Sequence, residues 1–138
     1  MSDGAASRPT VYPTLRYRDA RAAIDFLKNA FGFTEVAVHG EDEGPVHHAE
    51  MAYGNGLVMF GSAVERGDFS KAARDLGPAS VYVVVEDTDK HHARAVAAGA
   101  EIVVPVTDQD YGSRDYTAKD PEGNLWTFGT YTPDFTAT

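Results

Sequence analysis

The sequence predicts an α+β fold of two tandem βαβββ units, whose curved mixed sheets enclose a trough. Three observations predict it. Residues 124–129, NLWTFG, repeat residues 56–61, GLVMFG, at a shift of 68, so that Leu57 falls on Leu125, Phe60 on Phe128 and Gly61 on Gly129. The same shift lays residues 12–19, YPTLRYRD, on residues 80–87, SVYVVVED. At a shift of 67, Gly32 falls on Gly99, each after an alanine-rich helical run and before a strand.

Residues 1–9 are polar, lack the apolar block of a secretion signal and are expected to form a loose tail. The first strand is expected over 10–17, with Leu15 and Tyr17 on one face and Tyr12, Thr14 and Arg16 on the other. Asp19 is placed to cap a helix in which Ala20, Ala23, Ile24, Leu27 and Phe31 recur at helical spacing, and Gly32 to end it. Strands follow over 33–38, 46–52 and 57–60, the last two joined by the turn Tyr53-Gly54-Asn55-Gly56. The stretch 62–78 joins the copies. Its first half, SAVERGDF, is polar, and 70–76 have room for two helical turns before Gly77-Pro78 stops them. As a connector it needs no function, although so long an excursion can lie over a cavity mouth.

In the second copy a strand over 80–85 leads to a helix capped by Asp87 or Asp89 and running to about Ala98. A strand over 100–104, a loop over 107–112 and strands over 113–119 and 125–128 complete it. The last two are joined by Asp120-Pro121-Glu122-Gly123, where Pro121 suits the second position of a tight turn and Gly123 the left-handed position that closes it. The chain reads as one domain, 1–138, built of repeat unit 10–61, connector 62–78 and repeat unit 79–131. Each helix covers one face of its own sheet and leaves the other face for the trough.

Composition narrows the function. A chain of 138 residues with 43% hydrophobic content suits one compact domain with its own core. Without cysteine there is neither a disulfide framework nor a thiolate site, and the reducing cytoplasm is the expected setting. No apolar run approaches the roughly 20 residues of a membrane span. Twelve Lys and Arg against 21 Asp and Glu give a net charge of -9, a field that repels phosphate backbones and acidic membranes, so neither is an expected partner. No Gly-rich nucleotide cradle follows a strand. Open sheet edges point to a homodimer, with contacts expected from 46–52 as an edge strand and from Phe128, Tyr131 and Phe135.

Three stretches, YPTLRYRDARAAIDFLKNAFGF, SVYVVVEDTDKHHARAVAAGAEI and SRDYTAKDPEGNLWTFGTY, resemble the vicinal oxygen chelate superfamily, also called the glyoxalase, bleomycin-resistance and extradiol-dioxygenase fold. The resemblance covers essentially residues 12–131 and is strongest to small stand-alone bacterial glyoxalase-like or antibiotic-binding members. It implies the doubled fold, and such relatives are usually dimers. The superfamily spans isomerases, lyases, dioxygenases, thiol transferases and non-catalytic drug binders, so it implies no single reaction. Its metalloenzymes carry ligands at the head of each copy's first strand and in each copy's last strand. Those positions fall here on Tyr12, Ser80, Met59 and Thr127, none a usual ligand for an ion held by imidazole and carboxylate. The resemblance therefore implies binding without the family's metal and with no cofactor.

On the presumed inner faces, Tyr12 and Tyr82 offer flat rings with hydroxyls, Met59 an adaptable apolar surface, Arg16 a fixed charge and Thr127 a hydroxyl. These five are the candidate ligand-binding residues of a metal-independent protein that binds a small aromatic or antibiotic-like molecule. The alternative is a metal-dependent glyoxalase-type lyase or isomerase. It rests on His48 and Glu50, which share a strand face while His47 points away, and which with His39, or with Glu41 and Asp42 of the neighbouring loop, would form a site for a divalent transition metal. A hydrogen-bonded His48–Glu50 pair needs no ion. On the second helix, His91 and His92 are expected to be one partly buried and one exposed imidazole. No catalytic residue is assigned. An Arg114–Tyr116 pair has the chemistry to stabilise an oxyanion, but pinning of the loop over 107–112 by Arg114 and Asp115 is the expected role. Ser62, Ser80 and Ser113 lie in no nucleophile elbow.

Overall fold

The computed structural model describes residues 8–63 and 67–133. The chain divides into two compact units, the first ending at Gly77 and the second starting at Pro78. The first contains β1 (Thr14–Tyr17), α1 (Ala20–Phe31), β2 (Thr34–Gly40), β3 (Val46–Tyr53), β4 (Gly56–Ser62) and α2 (Gly67–Ala73). The second contains β5 (Ser80–Val84), α3 (Thr88–Ala97), β6 (Glu101–Asp108), β7 (Arg114–Lys119) and β8 (Leu125–Gly129). Each unit has one four-stranded mixed sheet, ordered β1-β4-β3-β2 and β5-β8-β7-β6, in which the first strand runs parallel to the last and the other neighbours are antiparallel.

The repeat is visible in the pairing register. Thr14 opposes Met59 in the first sheet, and Tyr82 opposes Thr127 in the second, both members 68 residues on. Met51 opposes Val58, and Ala118 opposes Trp126. There the shift of the third strand is 67, because the stretch between the partners Lys119 and Leu125 is one residue longer than that between the partners Ala52 and Leu57. The helices begin alike: the Asp19 carboxylate accepts from the Ala22 N–H (3.0 Å) and the Asp87 carboxylate from the Lys90 N–H (3.1 Å). Both end before a left-handed glycine, Gly32 (φ 81°) and Gly99 (φ 88°).

Strand alternation sorts the faces as the pattern predicts. Leu15, Tyr17, Val58 and Phe60 are buried with Ala23, Ile24, Leu27 and Phe31 of α1, and the Tyr17 ring meets Phe60 edge to face at 4.9 Å. In the second unit Tyr116, Ala118, Trp126 and Phe128 are buried with His91 and Ala95 of α3. Val81 and Val83 of β5, which alternate with the exposed Ser80, Tyr82 and Val84, are only half-buried. The face that α3 buries consists of Thr88, His91 and Ala95, a smaller apolar stripe than that of α1.

Four expectations are corrected. The sheets are not curved walls closed around a trough; they are two separate, open four-stranded sheets. Closure needs a ladder between edge strands, and among the described residues the two edges of each sheet lie at opposite ends of the order with no such ladder. The stretch 46–52 is not an edge, because β3 is paired with β2 on one side and β4 on the other. The first strand starts at Thr14 and not at Thr10: Pro13 has no N–H to donate, and its carbonyl accepts from Met59 N (3.0 Å) at the strand's head. Finally, β6 continues to Asp108 through Pro105, which sits in an irregular stretch of the ladder between Val104 and Thr107, where a missing N–H costs no regular bond.

Among the residues expected at a dimer contact, Phe128 is buried, Tyr131 is exposed and Phe135 lies outside the described residues, as does most of the N-terminal tail. No helix among the described residues is long and apolar enough to cross a membrane. Gly123 closes the Asp120 turn at φ 95°. Gly123→Val, which forces a β-branched residue to positive φ, is therefore expected to cost about 1 kcal/mol or more, read as a lower denaturation midpoint.

Candidate functional site

In the first unit the sheet face away from α1 carries Arg16 of β1 and Met59 of β4, since both alternate with buried neighbours. At the end of this face, α2 covers a cleft of about 340 Å³ lined by Arg16, His48, Met59, Ser62, Phe69 and Ser70 among others. Two bonds fix its frame. The Arg16 Nη1 donates to the carbonyl of Ala73 at the end of α2 (2.9 Å), and the Ser62 hydroxyl accepts from Val46 N (2.9 Å), joining the ends of β4 and β3. A guanidinium carries five N–H donors, so Arg16 can hold α2 and still offer donors to a ligand. The connector helix is thus part of the cleft wall, and Phe69 and Ser70, which the polar pattern of the connector hid, line the cleft.

His48 Nε2 lies 2.9 Å from Glu50 Oε2, and the His48 ring stacks on His39 at 6.2 Å and 20°. His48 borders the cleft, whereas Glu50 opposes Met59 across the β3–β4 ladder. Among the described residues no group of three or more His, Cys, Asp or Glu side chains is placed to hold a metal ion. His39, Glu41 and Asp42 therefore do not complete a site with the pair. The positions that the resemblance assigns to metal ligands also fail on donor chemistry. Met59 offers a thioether, the Thr127 hydroxyl is bonded to the Thr117 hydroxyl at 2.7 Å, and Tyr12 and Ser80 supply neither imidazole nor carboxylate. These residues do not fit the family's ion.

Of the five candidate ligand residues, Arg16 and Met59 come together in the cleft. Tyr12 lies before β1 and is not among the cleft residues. Tyr82 and Thr127 are register partners on the second unit's sheet. The Tyr82 hydroxyl donates to the carbonyl of Tyr131 (3.0 Å) and accepts from its N–H (2.8 Å), which leaves its ring as the exposed part.

The segment before the last turn does not form an oxyanion pair. Arg114 donates to Asp108 (2.9 Å) and to Asp89 (3.0 Å); the hydrogen bonds to Asp108 and then Asp89 raise the guanidinium above its ordinary value. The Tyr116 hydroxyl is buried against His91 Nδ1 at 2.6 Å. Asp115 is buried and accepts from Gln109 Nε2 (3.0 Å) and, at 3.4 Å, from the Tyr111 hydroxyl. Desolvation, followed by the Asp115 charge, raises the Tyr111 phenol above its ordinary value. Arg114 and Asp115 thus pin the stretch between β6 and β7. His91 is buried and His92, half-buried, meets Tyr116 edge-on.

Known proteins resemble the chain along most of its length. A solved structure, TioX from Micromonospora sp. ML1, matches with a TM-score of 0.72 and 31% identity over 88% of this chain and 99% of its own. A lactoylglutathione lyase from Agrobacterium tumefaciens matches with a TM-score of 0.65 and 20% identity over 88% of this chain and 94% of its own, a likeness that carries the fold alone. An uncharacterized protein of Mycobacterium bovis is 33% identical over 125 residues, covering 88% of this chain and 82% of its own. The model of the Glyoxalase/Bleomycin resistance protein/Dioxygenase superfamily matches residues 10–128, and the chain belongs to that superfamily.

Proposed function

We propose that the protein binds a small organic molecule without a metal ion, and that the cleft of the first unit is its site. The observation that carries this reading is the meeting of Arg16, Met59 and Phe69 around about 340 Å³ of space, at the low end of the range for small-molecule pockets. An adaptable thioether and an aromatic ring suit a flat apolar body, and the guanidinium suits an anionic or carbonyl edge. The test is a fluorescence titration with 1-anilinonaphthalene-8-sulfonate, a planar aromatic anion. Saturable binding is expected, weakened about tenfold by Arg16→Ala. Equal affinity in the two proteins would remove Arg16 from the site.

A metal-dependent lyase or isomerase has one observation in its favour, the His48–Glu50 pair beside the cleft. As a ligand set it stops at two side chains, and a hydrogen-bonded pair accounts for the same geometry. Homodimerisation is part of the proposal, but through other strands than 46–52. Of the edge strands β1, β2, β5 and β6, β2 and β6 expose Val36, Val103 and Val104, apolar side chains beside unpaired backbone. Light scattering at micromolar concentration is expected to give the mass of two chains; the mass of one would contradict it.

A further inference from the structure

We infer that the second unit carries a separate binding site for a quaternary ammonium group, built by Tyr82 of β5, Tyr111 from the stretch between β6 and β7, and Tyr131 just beyond β8. Tyr131 is the shared wall. Its ring meets Tyr82 with centroids 6.5 Å apart at 66°, and meets Tyr111 with centroids 5.8 Å apart at 88°. Rings set near right angles form the corner of a box, and all three keep surface open, with exposures of 40%, 59% and 46%. A cation seated against several aromatic faces is attracted by each ring quadrupole, which is the recognition mode for alkylated ammonium groups.

Two features indicate that the corner is built and not incidental. The Tyr82 hydroxyl grips both the N–H and the carbonyl of Tyr131, so two walls are locked to each other. Gly129 makes this possible, because a Cβ there would lie 2.9 Å from the Tyr82 hydroxyl oxygen and 2.6 Å from Asp115 Cβ. Behind the third wall stands Asp115, 7% exposed, which accepts from the neutral donors Gln109 and Tyr111 and has no ion-pair partner among the described residues. Its charge strengthens the field felt by a cation. The neighbouring Arg114 is answered by Asp108 and Asp89.

The chemistry also selects among cations. A primary ammonium needs acceptors for three N–H groups, and the one nearby carboxylate, Asp115, is only 7% exposed and stands behind the Tyr111 wall with each oxygen accepting one hydrogen bond. A quaternary ammonium has no donors to satisfy. Its alkyl groups pack on the rings while its charge meets their faces.

The test is an NMR titration with choline, set against its neutral isostere 3,3-dimethylbutan-1-ol. Choline is expected to bind about tenfold more tightly than the isostere, with shifts at Tyr82, Tyr111 and Tyr131. Tyr111 is exposed and its replacement is tolerable, so Tyr111→Leu is expected to weaken choline about tenfold, while Tyr111→Phe, which keeps the ring, stays within about threefold of the parent. Arg16→Ala should leave choline binding unchanged, separating this site from the first-unit cleft. Equal binding of choline and the isostere, absence of choline binding up to about 50 mM, or no effect of Tyr111→Leu would each overturn the inference.

Discussion

Replacing Asp120 with Ala is expected to lower stability by about 3 kcal/mol or more, because it strands several buried donors at once, each costing about 1 to 3 kcal/mol when left unpaired. Asp120 is 3% exposed. Its Oδ1 accepts from the backbone N–H groups of Glu122 and Asn124, both at 3.0 Å, and its Oδ2 from Asn124 Nδ2 at 3.0 Å and Trp126 Nε1 at 3.1 Å. Asn124 passes the connection on, its Oδ1 accepting from Ala79 N at 2.8 Å at the head of β5. One carboxylate therefore shapes the turn, orients the indole beneath the sheet and ties the unit's first strand to its last turn. Asp120→Asn keeps one oxygen but sets an NH2 among donors, and should cost less than Asp120→Ala. Urea denaturation followed by Trp126 fluorescence reads both. A loss under about 1 kcal/mol for Asp120→Ala would show that the carboxylate does not hold the turn.

Gly61→Ala is expected to cost about 2 kcal/mol, within the 1 to 3 typical of overpacking, and to disturb the cleft that Gly61 helps to line. A Cβ at this position would lie 2.8 Å from His47 O and 3.2 Å from Val46 O, both backbone atoms that cannot swing aside as a side-chain tip does. Its repeat partner Gly129 is equally closed, by Asp115 Cβ at 2.6 Å. Gly77→Ala serves as the comparison: no atom of the described residues lies within 4 Å of a Cβ placed there, and a change between neutral and a gain of about 1 kcal/mol is expected. Equal midpoints for Gly61→Ala and Gly77→Ala would contradict the close approach of β4 to β3.

Much of this was legible in the sequence because the same physical demands recur 68 residues apart. Asp19 and Asp87 each satisfy a helix's first N–H groups, and Gly61 and Gly129 each sit where a side chain has no room, so the same residue types return. Two-residue alternation likewise placed Arg16 and Met59 on one face of the first sheet. Strand order was not legible. The pattern of residues 46–52 is that of any half-buried strand, and nothing in it distinguishes an edge from the interior position of β3. Closure was not legible for the same reason, since alternation fixes which face is open but not whether edges pair. Phe69 was hidden inside a polar connector, and Asp120 was readable as a turn residue but not as the acceptor for an indole six residues on. Such contacts depend on how the chain meets itself in space.

The central claim, binding of a small organic molecule in the first-unit cleft without a metal, is tested most directly by one titration of 1-anilinonaphthalene-8-sulfonate into the same protein after chelation and after saturation with zinc or manganese. The account predicts affinities that agree within about twofold, since none of the cleft residues needs an ion to present its surface. Binding that vanishes on chelation and returns when the metal is restored would contradict it.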